Sequence, residues 1–154
     1  LDVSEDFKEP NDIIKYLGYD SVISYVWVHH VEMPTFPTVE YMDMLKKMKK
    51  YWYEASKSYS VPYYPNVTMG WDASPRTIQS DVFDDIGYPF TSVYTNNTPE
   101  NFQIALEEAK KFLEEQNLNI LNINAWNEWT EGTYLEPDTV NKYKYLEAIK
   151  NVFL

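Results

Sequence analysis

Between Ile120 and Trp126 the chain reads Ile120-Leu121-Asn122-Ile123-Asn124-Ala125-Trp126, a short run of alternating apolar and polar side chains. Side chains alternate faces along a strand. Leu121, Ile123 and Ala125 then share one face and suit packing beneath helices, while Asn122, Asn124 and Trp126 share the other. Strands of a parallel sheet are usually covered on both sides and apolar throughout. A polar inner face points instead to a barrel lumen or a cleft. If the extended geometry continues, Glu128 lies on the same polar face, just past the carboxyl end of the strand. That is where βα barrels place their catalytic groups.

Working outward, Thr98-Pro99-Glu100 is a helix start: a capping Thr, Pro in the first turn, then an acid near the positive helix end. Phe102, Ala105, Leu106, Ala109, Phe112 and Leu113 form its apolar stripe. Thr38 is read as the cap of a helix running to about Ser58, with Tyr41, Met44, Leu45, Met48, Trp52 and Ala55 on one face. A short helix is expected from about Asn11 to Leu17, between Pro10 and Gly18. A last one runs from about Val140 to Phe153, capped by Asp138 or Thr139, with Tyr145, Leu146, Ile149, Val152 and Phe153 inward. Ser21 to Val28 and Asn66 to Trp71 read as two more strands. Asp72 to Asn97 reads as irregular, with Thr91 to Thr95 extended; connections of this length are usually functional or disordered.

Strands alternating with amphipathic helices imply βα units around a parallel sheet. Three strands are too few for a closed (β/α)8 barrel, which needs about 250 residues. The expectation is therefore an α/β chain forming a single domain over residues 1–154. It is either a small open domain or the C-terminal part of a TIM-type barrel whose N-terminal half is missing.

Composition removes several function classes. There is no cysteine, hence no disulfide and no thiolate metal site. The net charge of −11 leaves no basic stripe for nucleic acid or anionic membranes. Lys46-Lys47-Met48-Lys49-Lys50 reads as a solvated helix face. No segment approaches the roughly 18 apolar residues of a membrane helix, so no membrane insertion is expected. Leu1-Asp2-Val3-Ser4-Glu5-Asp6 carries neither an initiator Met nor a signal-peptide pattern. An acidic, cysteine-free chain fits a bacterial secreted, periplasmic or cytoplasmic protein equally. Five Trp, 14 Tyr and seven Phe suit stacking against flat, hydroxyl-rich rings as well as core packing.

The chemistry centres on Asn127-Glu128-Trp129-Thr130-Glu131-Gly132. Two carboxyls beside an aromatic can be driven apart in acidity by their surroundings, one acting as base or nucleophile and the other as acid. Glycosidic bond chemistry uses that division. On spacing alone, an exposed connection with incidental acids remains open. Arg76, the only arginine, lies near Asp72 and offers a rigid fork for a sugar hydroxyl or a carboxylate. Trp71 and Asp72 follow a strand end and should face the ligand side. His29 and His30, with Glu32, form either a loop near the cleft or a plain solvated loop; two histidines make a poor metal site. Glu136 reads as mainly structural. Asn66-Val67-Thr68 and Asn96-Asn97-Thr98 match glycosylation sequons, a pattern with many false positives.

Asn124-Ala125-Trp126-Asn127-Glu128-Trp129-Thr130-Glu131-Gly132-Thr133-Tyr134-Leu135-Glu136-Pro137 resembles the signature of glycoside hydrolase family 99 and its WbsX-like relatives. Gly70-Trp71-Asp72-Ala73-Ser74-Pro75-Arg76 resembles a second WbsX-like element. The resemblance implies a (β/α)8 enzyme acting on a mannose-like or related oligosaccharide or polysaccharide, without metal or organic cofactor. It implies Glu128 as the base that drives attack by the sugar's own 2-hydroxyl and Glu131 as the general acid. Trp71, Asp72, Arg76, Trp126, Asn127 and Trp129 become candidate substrate contacts. Thr130 stands where the hydrolases commonly have His. The leading expectation is a glycoside hydrolase. The alternatives are a WbsX-like glycosyltransferase of polysaccharide biosynthesis and a non-catalytic glycan-binding fragment.

Overall fold

The computed structural model describes residues 9–154, so the opening Leu1 to Asp6 lies outside it. Helix α1 (Pro10–Leu17) ends at Gly18, whose φ of 70° is the left-handed turn that glycine takes without a Cβ penalty. Strand β1 is only Val22–Ile23, shorter than the expected Ser21 to Val28. The chain leaves the sheet because Trp27 turns inward on a 3-10 turn, Trp27–His29. Trp27 is fully buried, and its indole N–H donates to the Asn66 carbonyl at 2.9 Å.

Strand β2 (Thr38–Glu40) occupies the place read as a helix cap, and helix α2 (Tyr41–Ser58) follows it directly. Strands β3 (Tyr63–Tyr64), β4 (Asn66–Thr68) and β5 (Val93–Thr95) come next. β2 runs parallel to β5, so Thr38 is held in a ladder opposite Val93 and cannot cap. Helix α3 (Pro99–Glu115) starts as read, with Thr98 Oγ1 accepting the Asn101 N–H at 3.3 Å. Strands β6 (Asn122–Asn124), β7 (Asn127–Glu128) and β8 (Thr133–Tyr134) lead to helix α4 (Lys144–Phe153). α4 begins later than expected. Asp138 accepts the backbone N–H groups of Val140 and Asn141, which closes a separate turn before the helix.

The apolar stripes of α2 and α3 are buried at every position expected. They meet over the strands: Trp27 stacks on Tyr41 at 5.1 Å, and Trp52 lies against Phe112 at 5.8 Å. In α4, Tyr145, Ala148 and Val152 are buried, whereas Phe153 stays partly exposed. Tyr145 packs edge-on against Phe102, joining α4 to α3.

β1 pairs with β3 and β4 with β6, both parallel, while β7 and β8 form a small antiparallel hairpin. Parallel α/β architecture is therefore present. The described strands form four two-stranded ladders and no continuous barrel wall. The polar face of β6 is real: Asn122 lies opposite Asn66, and Asn124 opposite Thr68. Asn124 on it is buried and Asn122 half-buried, whereas Trp126 is exposed. Thr68 donates to the Asn66 side chain, and Asn122 donates to the Ser24 carbonyl.

Candidate active site

The site is built on the β7–β8 hairpin. Glu128 ends β7, Trp129–Glu131 make one 3-10 turn, and Gly132 reverses the chain with φ 64°. A Cβ on Gly132 would lie 3.0 Å from the Cβ of Asp72, so the hairpin needs glycine for room as well as for φ. The neighbouring loop is tied to it, since the Asp72 N–H donates to the Glu131 carbonyl at 2.7 Å. The Asp72 carboxylate accepts the Ser74 N–H at 2.9 Å and so starts the turn Ser74–Arg76. That turn aims Arg76 at the hairpin.

Arg76 Nη2 donates to Glu128 Oε1 at 2.7 Å and lies 3.5 Å from Glu131 Oε1. One guanidinium nitrogen thus sits between both carboxylates and offsets their mutual repulsion. The Glu131 side chain is 12% exposed and that of Glu128 34%. Thr130 donates to Glu128 Oε1 at 3.2 Å, and the Tyr88 hydroxyl donates to Glu131 Oε1 at 3.0 Å. Desolvation, and then the hydrogen bond to Glu131, push the Tyr88 hydroxyl above the usual tyrosine range, so it remains a donor at neutral pH.

These groups line a cleft of about 530 Å³, a size that suits a small ligand or a sugar unit. Tyr25, Val26, Val28 and Met33 supply its apolar lining, together with His29. Trp71 is buried beneath it, with its indole N–H donated to Thr91 at 2.9 Å. A charged pair beside apolar and aromatic surface is the usual composition of a ligand site.

Of the residues named from the sequence, Glu128, Glu131, Arg76 and Trp71 come together here. Asp72 stands behind them as the cap of the arginine turn, and Arg76 reaches the two glutamates rather than Asp72. Asn127 is exposed on β7 opposite Tyr134. Trp126 and Trp129 lie outside the cleft lining, 53% and 45% exposed. His29 lines the cleft, whereas His30 stacks on Tyr51 at 4.6 Å. Tyr88 was not singled out in the sequence: nothing distinguishes it among 14 tyrosines until the fold brings it 43 positions forward to Glu131.

Fold and site together define an α/β protein with a paired-carboxylate cleft beyond the ends of its parallel strands. The family model described as glycosyltransferase WbsX matches residues 8–149, and the chain belongs to this family. Two similar relatives are both called uncharacterized protein WxcX, from two strains of Xanthomonas campestris pv. campestris. Each is 30% identical over 90 residues, covering 56% of this chain. The chain spans 12% of the length of these relatives. No solved structure matches it significantly. The WbsX-like side of the resemblance is borne out. The expectation of a glycoside hydrolase is overturned, because the family is described as a glycosyltransferase. A carboxylate pair does not separate the two activities, since both move protons at a glycosidic oxygen.

Proposed function

We propose that this chain carries the proton-transfer centre of a glycosyltransferase acting in glycan assembly, with Glu128 and Glu131 as its acid–base pair. The observation that carries the proposal is the convergence of both carboxylates on the single arginine, inside a cleft large enough for a sugar unit. Membership of a family described as a glycosyltransferase supports the reaction class.

Glu128, the more open carboxylate, takes the proton from the incoming hydroxyl as the new carbon–oxygen bond forms. Glu131, more enclosed and held by Tyr88, hands a proton to the departing oxygen as the old bond breaks. Arg76 keeps both carboxylates aimed at one point and limits their repulsion. Trp71 and the apolar lining hold the less polar face of the sugar ring. In the same reading, the chain is the C-terminal portion of a larger (β/α)8 catalytic unit, and further segments complete the donor site.

The test is transfer from a panel of donor sugars to a labelled oligosaccharide acceptor, using the full-length protein and its Glu131→Gln variant. Label found in a longer product with the unaltered protein, and reduced at least 100-fold in the variant, is the expected result. Equal transfer by both proteins would refute the role of Glu131.

A further inference from the structure

A second cavity of about 410 Å³ adjoins the first across the hairpin turn. Glu131 faces the cleft, while the next residues along the same turn, Gly132 and Tyr134, line the second cavity. A Cβ on Gly70 would lie 2.5 Å from Asn97 Nδ2 and 2.8 Å from the Gly132 carbonyl, so the Gly70 backbone, the hairpin turn and the Asn97 side chain meet closely there. The cavity lining is mainly polar: Asn96, Asn97, Asn141, Glu100 and Lys144 surround it, with Tyr134 as a ring wall. Tyr134 is held rigid by Trp129, stacked on it at 3.7 Å. The Trp129 indole N–H is in turn fixed by Glu136 at 2.7 Å.

Amide side chains beside a rigid ring suit a hydroxyl-rich ring, because they donate and accept without adding charge. The two charged side chains cancel. Glu100 lies in the first turn of α3, and hydrogen bonds from its own backbone N–H and from Thr98, helped by the Lys144 ammonium, keep its carboxylate below the ordinary range. That helix end already faces an anion of the chain itself, which disfavours a phosphate there.

We propose that this second cavity binds the acceptor glycan, taking a neutral sugar unit next to the one that reacts in the cleft. The inference rests on the transfer reading above, since a transfer reaction has two sugars to place. An acceptor lying over the Glu131–Gly132 turn would carry its hydroxyl from this cavity toward the carboxylates, because consecutive residues of that turn line the two cavities.

The test uses the full-length protein and its Glu100→Ala/Lys144→Ala variant. Neutral hexose oligosaccharides of increasing length and uridine diphosphate are titrated calorimetrically, and acceptor KM is measured in the transfer assay. The expected result is about tenfold weaker binding of the longer oligosaccharides by the variant, unchanged binding of the shortest, and a raised acceptor KM with kcat retained. Equal affinity at every length would overturn the subsite. So would uridine diphosphate binding that the double variant abolishes, because the cavity would then hold an anionic donor. Transfer by both proteins with identical acceptor KM would sink this inference and leave the function standing. No transfer by the unaltered protein with any donor would sink the function, and the acceptor role with it.

Discussion

At the residue scale, the site depends on contacts that tolerate little change. Gly70 is the clearest case, since a methyl there meets backbone on one side and the Asn97 amide on the other. Gly70→Ala should cost about 1–3 kcal/mol, as overpacking does. It should also displace the Glu131–Gly132 turn, so chemical denaturation would register the loss and transfer would fall with it. A denaturation midpoint equal to that of the unaltered protein would show that these contacts yield. Tyr88→Phe removes only the hydroxyl that donates to Glu131. The ring is exposed, so stability should stay within about 0.5 kcal/mol. We expect kcat to fall about tenfold with little change in KM, and an unchanged kcat would mean that Arg76 alone fixes the carboxylate. Glu128, Glu131 and Arg76 were legible in the sequence as residue types within a motif. Their joint geometry was not, because Arg76 is brought to the hairpin by a turn that Asp72 caps, 52 positions upstream of Glu128.

At the element scale, helices proved more readable than strands. The buried faces of α2 and α3 follow from spacing because a long amphipathic helix repeats its signal over many turns. The start of α3 was readable because Thr98 and Pro99 are local devices. Thr98→Ala should cost about 1 kcal/mol by removing the cap, which thermal denaturation would measure; no loss would place the helix start elsewhere. The strands are two or three residues long, too short for alternation to mark their ends. β2 was missed because Thr38 fits a cap and a strand equally, and only pairing with β5 decides between them. The α2–α3 contact also has a readable pH dependence. Hydrogen bonds from Lys111 and then Lys49 hold the Glu108 carboxyl below its ordinary range. A lowered folded value means this contribution is complete above the unfolded carboxylate range and is lost as pH falls through the folded value. Glu108→Gln should therefore flatten the acid side of the stability profile while leaving its shape above neutrality unchanged. An identical acid limb in the variant would show that the pair is screened by solvent.

At the scale of the whole molecule, the parallel α/β class followed from alternating helices and strands, and the described ladders agree. The barrel was inferred from the polar face of β6 and from resemblance. In the structure that face continues onto Asn66 and Thr68 of the neighbouring strand, with Asn124 buried and Trp126 exposed, and the described ladders do not join into a barrel wall. Among the described residues no helix is long and apolar enough to cross a membrane. The glutamate pair left hydrolase and transferase both open in the sequence for a physical reason. Hydrolysis and transfer differ in whether water or a sugar hydroxyl enters, and two glutamates serve either. The central claim is that Glu128 and Glu131, joined through Arg76, work as one unit. The most direct measurement is the transfer rate of Glu128→Gln, Glu131→Gln and the double variant, set beside the unaltered protein. A unit predicts that each single change removes most of the activity and that the double variant loses little more. Losses that multiply independently, or a single variant that keeps full activity, would contradict it.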